Sequence, residues 1–298
     1  MNRQREVLVC VSRSSGGIKR GEKEAEEIRN ALAAAGVSAR VELLDGSGIV
    51  ERANDAVKDS ADLLIVGGGD GSVSAAAGIL AGTKTKLGIL PLGTLNHFAR
   101  DLGIPPDLAR SAELIGNGKA RAVDVAEVNG RVFVNNSAIG LYPLMVIDRD
   151  LQQSRLGRSK RLAMLVASVR TLARFNHYRL TLTVNEERSR VNTPLLFVGN
   201  NDYRLDLGAP GRRESLDDGR LSVFIMRKKT RRGLVAASIR ALFNRARPND
   251  MVQLENVERL LVESRRSQLV ISVDGEVESV NALLDYSVRK GALKVIAP

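Results

Sequence analysis

The sequence predicts a parallel α/β domain followed by a mainly antiparallel β domain, with the boundary near Ala122. Three observations predict this. Short apolar runs alternate with helical stretches through the first third of the chain, the rhythm of a parallel sheet with crossover helices. After Arg121 the rhythm changes to strands and turns, opening with Asn129-Gly130 between two apolar runs, a hairpin signature. Three of the four early strands run into Ser/Gly or Gly/Thr loops on one rim, the carboxyl edge where such sheets bind ligands.

Taken in order, Val7-Leu8-Val9-Cys10-Val11 has the branching of a buried strand. Ser12, Arg13, Ser14, Ser15 and Gly16 follow as a donor-rich loop. Residues 22–35 have helical composition and stop at Gly36 in the usual C-terminal position. A second strand is expected over 37–44 and a second helix over 49–60. The third strand, Leu63-Leu64-Ile65-Val66, breaks into Gly67-Gly68-Gly69-Asp70-Gly71-Ser72, and a tight alanine-rich helix is expected over 72–81. A fourth strand over 86–90 leaves through Pro91-Leu92-Gly93-Thr94-Leu95-Asn96. In the second half, the hairpin over 123–134 leads to a long basic amphipathic segment at about 152–175. Strands are then expected over 178–184, 193–198, 220–226, 260–263 and 268–273, with one helix at 231–244.

The 298 residues suffice for two cores, and 44% hydrophobic with 27% charged residues is an ordinary soluble composition. No apolar run approaches the roughly 20 residues that span a bilayer. The N-terminus enters a strand without a secretory leader, and the lone Cys10 excludes an internal disulfide, so a cytoplasmic setting is expected. One cysteine and two histidines disfavour a zinc site. A net charge of +11 suits anionic partners. Nucleic acid is the weaker choice, because aromatics are 3% and Trp is absent, leaving few stacking platforms.

Glycines at the exit of a buried strand let backbone N–H groups close around an anion. The alternative is a tight strand-to-helix turn whose glycines only permit close packing. Asp70 tilts the balance, since a turn does not require it and a carboxylate beside phosphates needs a metal ion or a reacting hydroxyl between. Neither the Gly-x-Gly-x-x-Gly fingerprint nor a Walker loop is present. In the next loop Thr94 can donate to a phosphate, Asn96 can bind a hydroxyl or cap a helix, and Arg100 can meet an anion or solvent. In the β half, Ser215-Leu216-Asp217-Asp218-Gly219-Arg220 offers oxygen ligands for a hard cation, or simply an Asp-Gly turn. Asp274-Gly275-Glu276 is either a turn or a pair of carboxylates for general-base and metal work.

Gly68-Gly69-Asp70-Gly71-Ser72, Leu92-Gly93-Thr94-Leu95-Asn96, Asn136-Ser137-Ala138-Ile139-Gly140, Leu216-Asp217-Asp218-Gly219 and Asp274-Gly275-Glu276 together resemble, in order, the diacylglycerol kinase catalytic family, which includes bacterial lipid kinases and sphingosine kinases. The resemblance implies a nucleotide-binding α/β domain over 1–122, a β-sandwich over 123–287 that takes the lipid, a tail at about 288–298 packing back on the first domain, and an active site in the cleft. It implies ATP and Mg2+ as cofactors. Gly68, Gly69, Asp70, Gly71, Ser72, Val73 and Ser74 would hold the phosphates, with Thr94 and Asn96 beside them. Ser12, Ser14, Ser15 and Gly16 stand where the family has Asn-Pro-x-Ser-Gly, and only Ser15-Gly16 agrees. Asp274 and Glu276, with Asp70, match the acidic catalytic set. The structural magnesium site falls on Asp218 with backbone oxygens near Ser215 and Arg220. His97 departs from the family, which has aspartate there; a neutral imidazole cannot replace an anionic magnesium ligand, though it can hydrogen-bond.

The implied reaction is transfer of the ATP γ-phosphoryl group to a lipid hydroxyl at a membrane surface, with no nucleic acid involved. Peripheral contact through a basic face is expected from Arg155, Arg158, Lys160, Arg161, the run 227–232, Arg240, Arg245 and Arg247. A homodimer is one assembly compatible with this reading. NAD kinase, which shares the Gly-Gly-Asp-Gly loop, and a catalytically weak nucleotide- or lipid-binding regulator are the rival readings.

Overall fold

The computed structural model describes residues 6–15, 17–141, 143, 177–202, 213, 215–227, 233 and 250–298. The basic segment at 152–175 and the helix at 231–244 fall outside the described residues, as do Gly16 and most of the arginines expected to meet a membrane. The chain divides into two compact units. One comprises Met1–Val125, Arg131–Val134 and Arg289–Pro298; the other comprises Ala126–Gly130 and Asn135–Val288.

In chain order the first part contains β1 (Val7–Ser12), the short strands β2 (Ser14–Ser15) and β3 (Ile18–Lys19), α1 (Glu22–Ala34), β4 (Ala39–Leu44), α2 (Gly46–Lys58), β5 (Leu63–Gly68), α3 (Asp70–Leu80), β6 (Lys86–Pro91), α4 (His97–Asp101), α5 (Leu108–Asn117), β7 (Lys119–Val128) and β8 (Arg131–Phe133). The second part adds β9 (Asn136–Gly140), β10 (Tyr178–Val184), β11 (Glu187–Thr193), β12 (Leu195–Asn200), β13 (Leu221–Met226), β14 (Met251–Val257), β15 (Arg259–Val273) and β16 (Glu276–Ala297).

In the first unit, β4, β1, β5 and β6 pair in parallel in that order, and the end of β16 joins β6 through Val295 and Leu87. Continuous apolar strands suit a sheet covered by helices. Val9 and Val11 of β1, Ile65 of β5 and Leu90 of β6 bury with Ile28 and Leu32 of α1 and Ala112 and Ile115 of α5. The Asp45 carboxylate accepts from Gly48 N and caps α2, which starts that helix three residues before the expected position. Likewise α3 begins at Asp70 rather than 72, because Gly69 takes the extended N-cap conformation. These two residues move the acidic group from a loop onto the first turn of a helix.

The second unit is antiparallel throughout: β14, β13, β12, β9, β15 and β16 lie side by side, and β10 pairs β15 with β11 outside it. The expected strands at 260–263 and 268–273 are one strand, β15. The polar stretch Ser264-Arg265-Arg266-Ser267 is a register shift against β16, not a turn. One end of β15 pairs β10 and the other pairs β9, so a single strand serves both layers of the sandwich. Elements β2, β3, α5, β9, β11, β14 and β16 have no counterpart in the sequence reading. Asn129 and Gly130 adopt φ of 50° and 81°, the left-handed pair of a two-residue hairpin turn between β7 and β8.

Candidate active site

The rim of the first unit is built from three strand ends. β5 delivers Gly68, Gly69 caps α3, and Asp70 opens its first turn. The first N–H groups of an α-helix have no intrahelical acceptor, so this turn presents donors and the positive end of the helix dipole. Beside it, β6 ends in the loop Leu92–Gly93, tied to β5 by Leu92 N donating to Gly68 O at 3.0 Å. The two loops touch through glycines. A Cβ on Gly93 would overlap Gly69 Cα and lie 2.6 Å from Asn96 Oδ1, so the loops meet only because Gly93 lacks a side chain. A Cβ on Gly68 would lie 2.8 Å from Ser72 Oγ, whereas one on Gly71 would meet nothing within 4 Å. The packing alternative therefore accounts for Gly68 and Gly93, and leaves Gly69 and Gly71 unexplained by packing.

Asn96 sits at the N-cap of α4 with φ 48° but gives that helix no side-chain bond. Instead its Oδ1 accepts from Gly93 N at 3.0 Å, and Nδ2 donates to Pro91 O at 3.1 Å and Gly93 O at 3.0 Å. The side chain thereby holds the loop that carries the exposed Thr94. The Asp70 carboxylate accepts from Phe98 N at 3.4 Å, which links the first turn of α3 to α4. His97 Nδ1 lies 3.0 Å from an Arg100 guanidinium nitrogen. Val73 is buried at 3% exposure and its N–H donates to Gly69 O at 3.1 Å, so it braces the first turn of α3.

The Ser12–Ser15 strand end is fastened to this rim by Arg20, a residue that sequence reasoning missed. Its guanidinium donates to Ser12 O at 3.3 Å, Ser15 Oγ at 2.7 Å and Leu92 O at 2.8 Å. Ser15 Oγ donates to the same Leu92 carbonyl at 3.1 Å, and Ser12 Oγ to Ser14 O at 3.1 Å. Burial pulls the Arg20 pKa down and the Glu24 carboxylate partly offsets it. No local pattern marks this arginine; a fork reaching Ser15 and Leu92, 77 positions apart, exists only in the fold.

In the second unit, Asp274-Gly275 is a two-residue turn joining β15 to β16, with φ of 47° and 87°. The turn also grips. Asp274 Oδ1 accepts from Asn135 N at 2.9 Å and Asn136 N at 3.0 Å, and Asp274 N donates to Asn136 O at 2.8 Å. Asn135 Oδ1 in turn accepts from the buried Arg213 at 3.0 Å. Glu276 is exposed at the start of β16. Ser137 Oγ and Tyr286 OH lie 3.1 Å apart below the turn, and burial raises the phenol pKa.

The acidic loop at 215–220 separates its two aspartates. Asp217 is engaged by Ser215 Oγ at 2.5 Å. Asp218 Oδ2 accepts from Asp202 N at 3.4 Å, while Asn201 Oδ1 accepts from the N–H groups of Asp218 and Gly219 at 3.1 and 3.2 Å. Arg220 O accepts from Asn201 N at 2.9 Å. Asn201, at φ 62°, is the organiser that the sequence reading omitted. Among the described residues no group of three or more His, Cys, Asp or Glu side chains is placed to hold a metal. One carboxylate with backbone oxygens is still a donor set suited to a hard cation.

A parallel-sheet unit with a glycine-lined rim and an antiparallel sandwich with an acidic turn define a two-unit α/β-plus-β class, and comparison with known proteins gives the family. Residues 6–128 match the diacylglycerol kinase catalytic domain, and residues 146–297 match the YegS C-terminal NAD kinase beta sandwich-like domain. The chain belongs to this lipid kinase family. It is 42% identical over 90 residues to the diacylglycerol kinase of Bacillus subtilis, covering 28% of this chain and 30% of that protein. The match to a Staphylococcus haemolyticus relative spans 58% of that protein's length. A diacylglycerol kinase structure from Bacillus anthracis superposes with a TM-score of 0.70 at 22% identity, covering 98% of this chain and 97% of that one. Yeast NADH kinase complexed with NADH shares the fold at a TM-score of 0.51 and 12% identity, covering 98% and 83%.

Proposed function

We propose that this chain is an ATP- and Mg2+-dependent lipid kinase that transfers the γ-phosphoryl group to a lipid hydroxyl. The observation that carries the reading is the glycine contact between the β5 and β6 loops, with the Ser12–Ser15 strand end clamped to them by Arg20. That arrangement leaves a helix N-terminus, backbone N–H groups and the hydroxyls of Ser72 and Thr94 on one rim. Such a surface neutralises phosphate by fixed dipoles, which costs no reorganisation when the reaction occurs.

Phosphoryl transfer depends mainly on positioning and charge. In the proposed step the lipid oxygen forms the bond to the γ-phosphorus, the bond to the ADP oxygen breaks, and the hydroxyl proton passes to a carboxylate. Asp274 is the assigned acceptor, because two backbone N–H groups hold one of its oxygens and so orient the side chain. Glu276 supplies a second negative charge one residue past the turn. Bound magnesium would neutralise the phosphate oxygens, with Asp70 at the rim and Asp218 in the acidic loop as the carboxylates that would hold metal. Among the described residues no helix is long and apolar enough to cross a membrane, so access to lipid is proposed to be peripheral.

The test is transfer of labelled γ-phosphate over a panel of diacylglycerol, sphingoid base, phosphatidylglycerol and NAD. Label in a lipid is the expected result. Transfer to NAD alone would make the chain a dinucleotide kinase, and nucleotide binding without transfer would make it a regulator.

A further inference from the structure

We infer that the outer face of the β10–β11–β15 layer is a docking surface for an anionic phospholipid bilayer. The inference rests on the lipid kinase reading for its choice of polyanion. Tyr178, Leu180 and Leu182 of β10 are buried, so alternation turns Arg179, Thr181 and Thr183 outward. The ladder sets Asn192 opposite Arg179, Arg190 opposite Thr181 and Arg188 opposite Thr183, and directly paired side chains share a face. On the other side of β10, Glu263 stands opposite Thr181. Arg179, Arg188, Arg190, Arg265 and Glu263 line one depression of about 430 Å³ on this face.

The charges do not balance. Arg188 reaches across β10 to Glu263 at 2.7 Å, with side chains 66% and 44% exposed. Among the described residues no other carboxylate lines the depression, so Arg179, Arg190 and Arg265 remain as an excess of positive charge. Glu187 alternates to the opposite face, and Arg266 is drawn aside onto the Tyr178 ring, 4.8 Å from its centroid. Edge strands often carry charge to block pairing with another chain. That explains arginines on β11, the outermost strand. It does not explain Arg179 on β10, which is paired on both sides, or Arg265 on β15. Guanidinium groups crowded on a flat sheet face repel one another unless an extended anionic surface meets them. Among the described residues the face offers no exposed aromatic for base stacking, which favours phosphate headgroups over nucleic acid.

The experiment measures partition of the full chain onto phosphatidylcholine vesicles with and without phosphatidylglycerol, across a salt series. Binding is expected only with phosphatidylglycerol and to weaken with salt. The triple variant R179Q/R190Q/R265Q should lower it by about 100-fold, from roughly a factor of five per basic residue at the surface. The charge-matched variant K23Q/R40Q/R110Q, on exposed positions of the first unit, should change it far less. Equal losses in both triples would show net charge alone at work and overturn the assignment, as would unchanged binding in the first. A first triple that loses duplex DNA binding or changes oligomeric state, while vesicle binding stays, would give the face to another partner. Phosphorylation of lipid dispersed in neutral detergent should be equal in wild type and both triples. That readout tests the kinase reading separately from the docking surface.

Discussion

The rim of the first unit and the acidic turn of the second are both built around glycine, but by different physics. At the rim, glycine is required by what touches it: Gly93 brings two loops together where any side chain would collide with Gly69 Cα. At the turn, Gly275 has open space around it and is required by φ of 87°. The rim is a problem in packing between distant strands, and the turn a problem in backbone geometry between adjacent ones. A rim of this kind fails when volume is added. A turn of this kind keeps its shape when chemistry is removed, because backbone donors hold it.

The largest effect should come at the turn. Asp274→Asn keeps an oxygen for Asn135 N and Asn136 N but cannot take a proton, so turnover should fall on the order of 1,000-fold while the melting curve and nucleotide binding persist. A variant with wild-type turnover would remove Asp274 from its assigned role. At the rim, Gly93→Ala should cost about 3 kcal/mol in urea unfolding and abolish nucleotide binding with it, since backbone rather than a flexible side chain must move. Nucleotide affinity surviving in that variant would break the contrast between the two regions. Arg20→Gln should raise the half-saturating ATP concentration about 10-fold, equivalent to about 1.4 kcal/mol, with kcat little changed. Arg20→Lys should rescue poorly, because an ammonium lacks the fork that meets Ser15 and Leu92 together.

The smallest effect lies beneath the rim. Burial, with Glu42 nearby, pushes the Cys10 thiol up to about 12 from 9.0. The folded chain keeps a proton that the unfolded chain releases, so stability is intact below the ordinary thiol pKa and falls as pH rises above it. The loss should reach about 1 kcal/mol by pH about 9.5 and vanish in Cys10→Val, as measured by urea unfolding across that window. The native thiol should also resist alkylation, which requires the thiolate.

Local patterns made much of the fold legible. Apolar runs marked β1, β5, β6 and β10, and Asn129-Gly130 marked its hairpin, because burial and turn geometry act on neighbouring residues. β11 was missed because Glu187-Arg188-Ser189-Arg190 carries no apolar alternation; its partner β10 supplies the pairing. β16 was missed although Ala282, Leu284 and Tyr286 alternate as buried residues, since the sequence shows no break that would announce so long a strand. Glycines and acidic residues of the candidate site were visible as unusual clusters. Arg20 and Asn201 were not, because each acts on backbone groups far away in sequence.

By itself the sequence determined the alternation of strands and helices from β1 to β6, the change to antiparallel strands in the second half, and the glycine and aspartate clusters at strand ends. Those depend on residue type and near-neighbour spacing. Only the tertiary structure decided that Gly93 packs directly on Gly69 Cα, that Arg20 ties Ser15 to Leu92, that Asp274 is held by Asn135 and Asn136, and that scattered arginines gather on one sheet face. Each of these joins groups whose separation along the chain carries no signal, and chain packing alone brings them within reach.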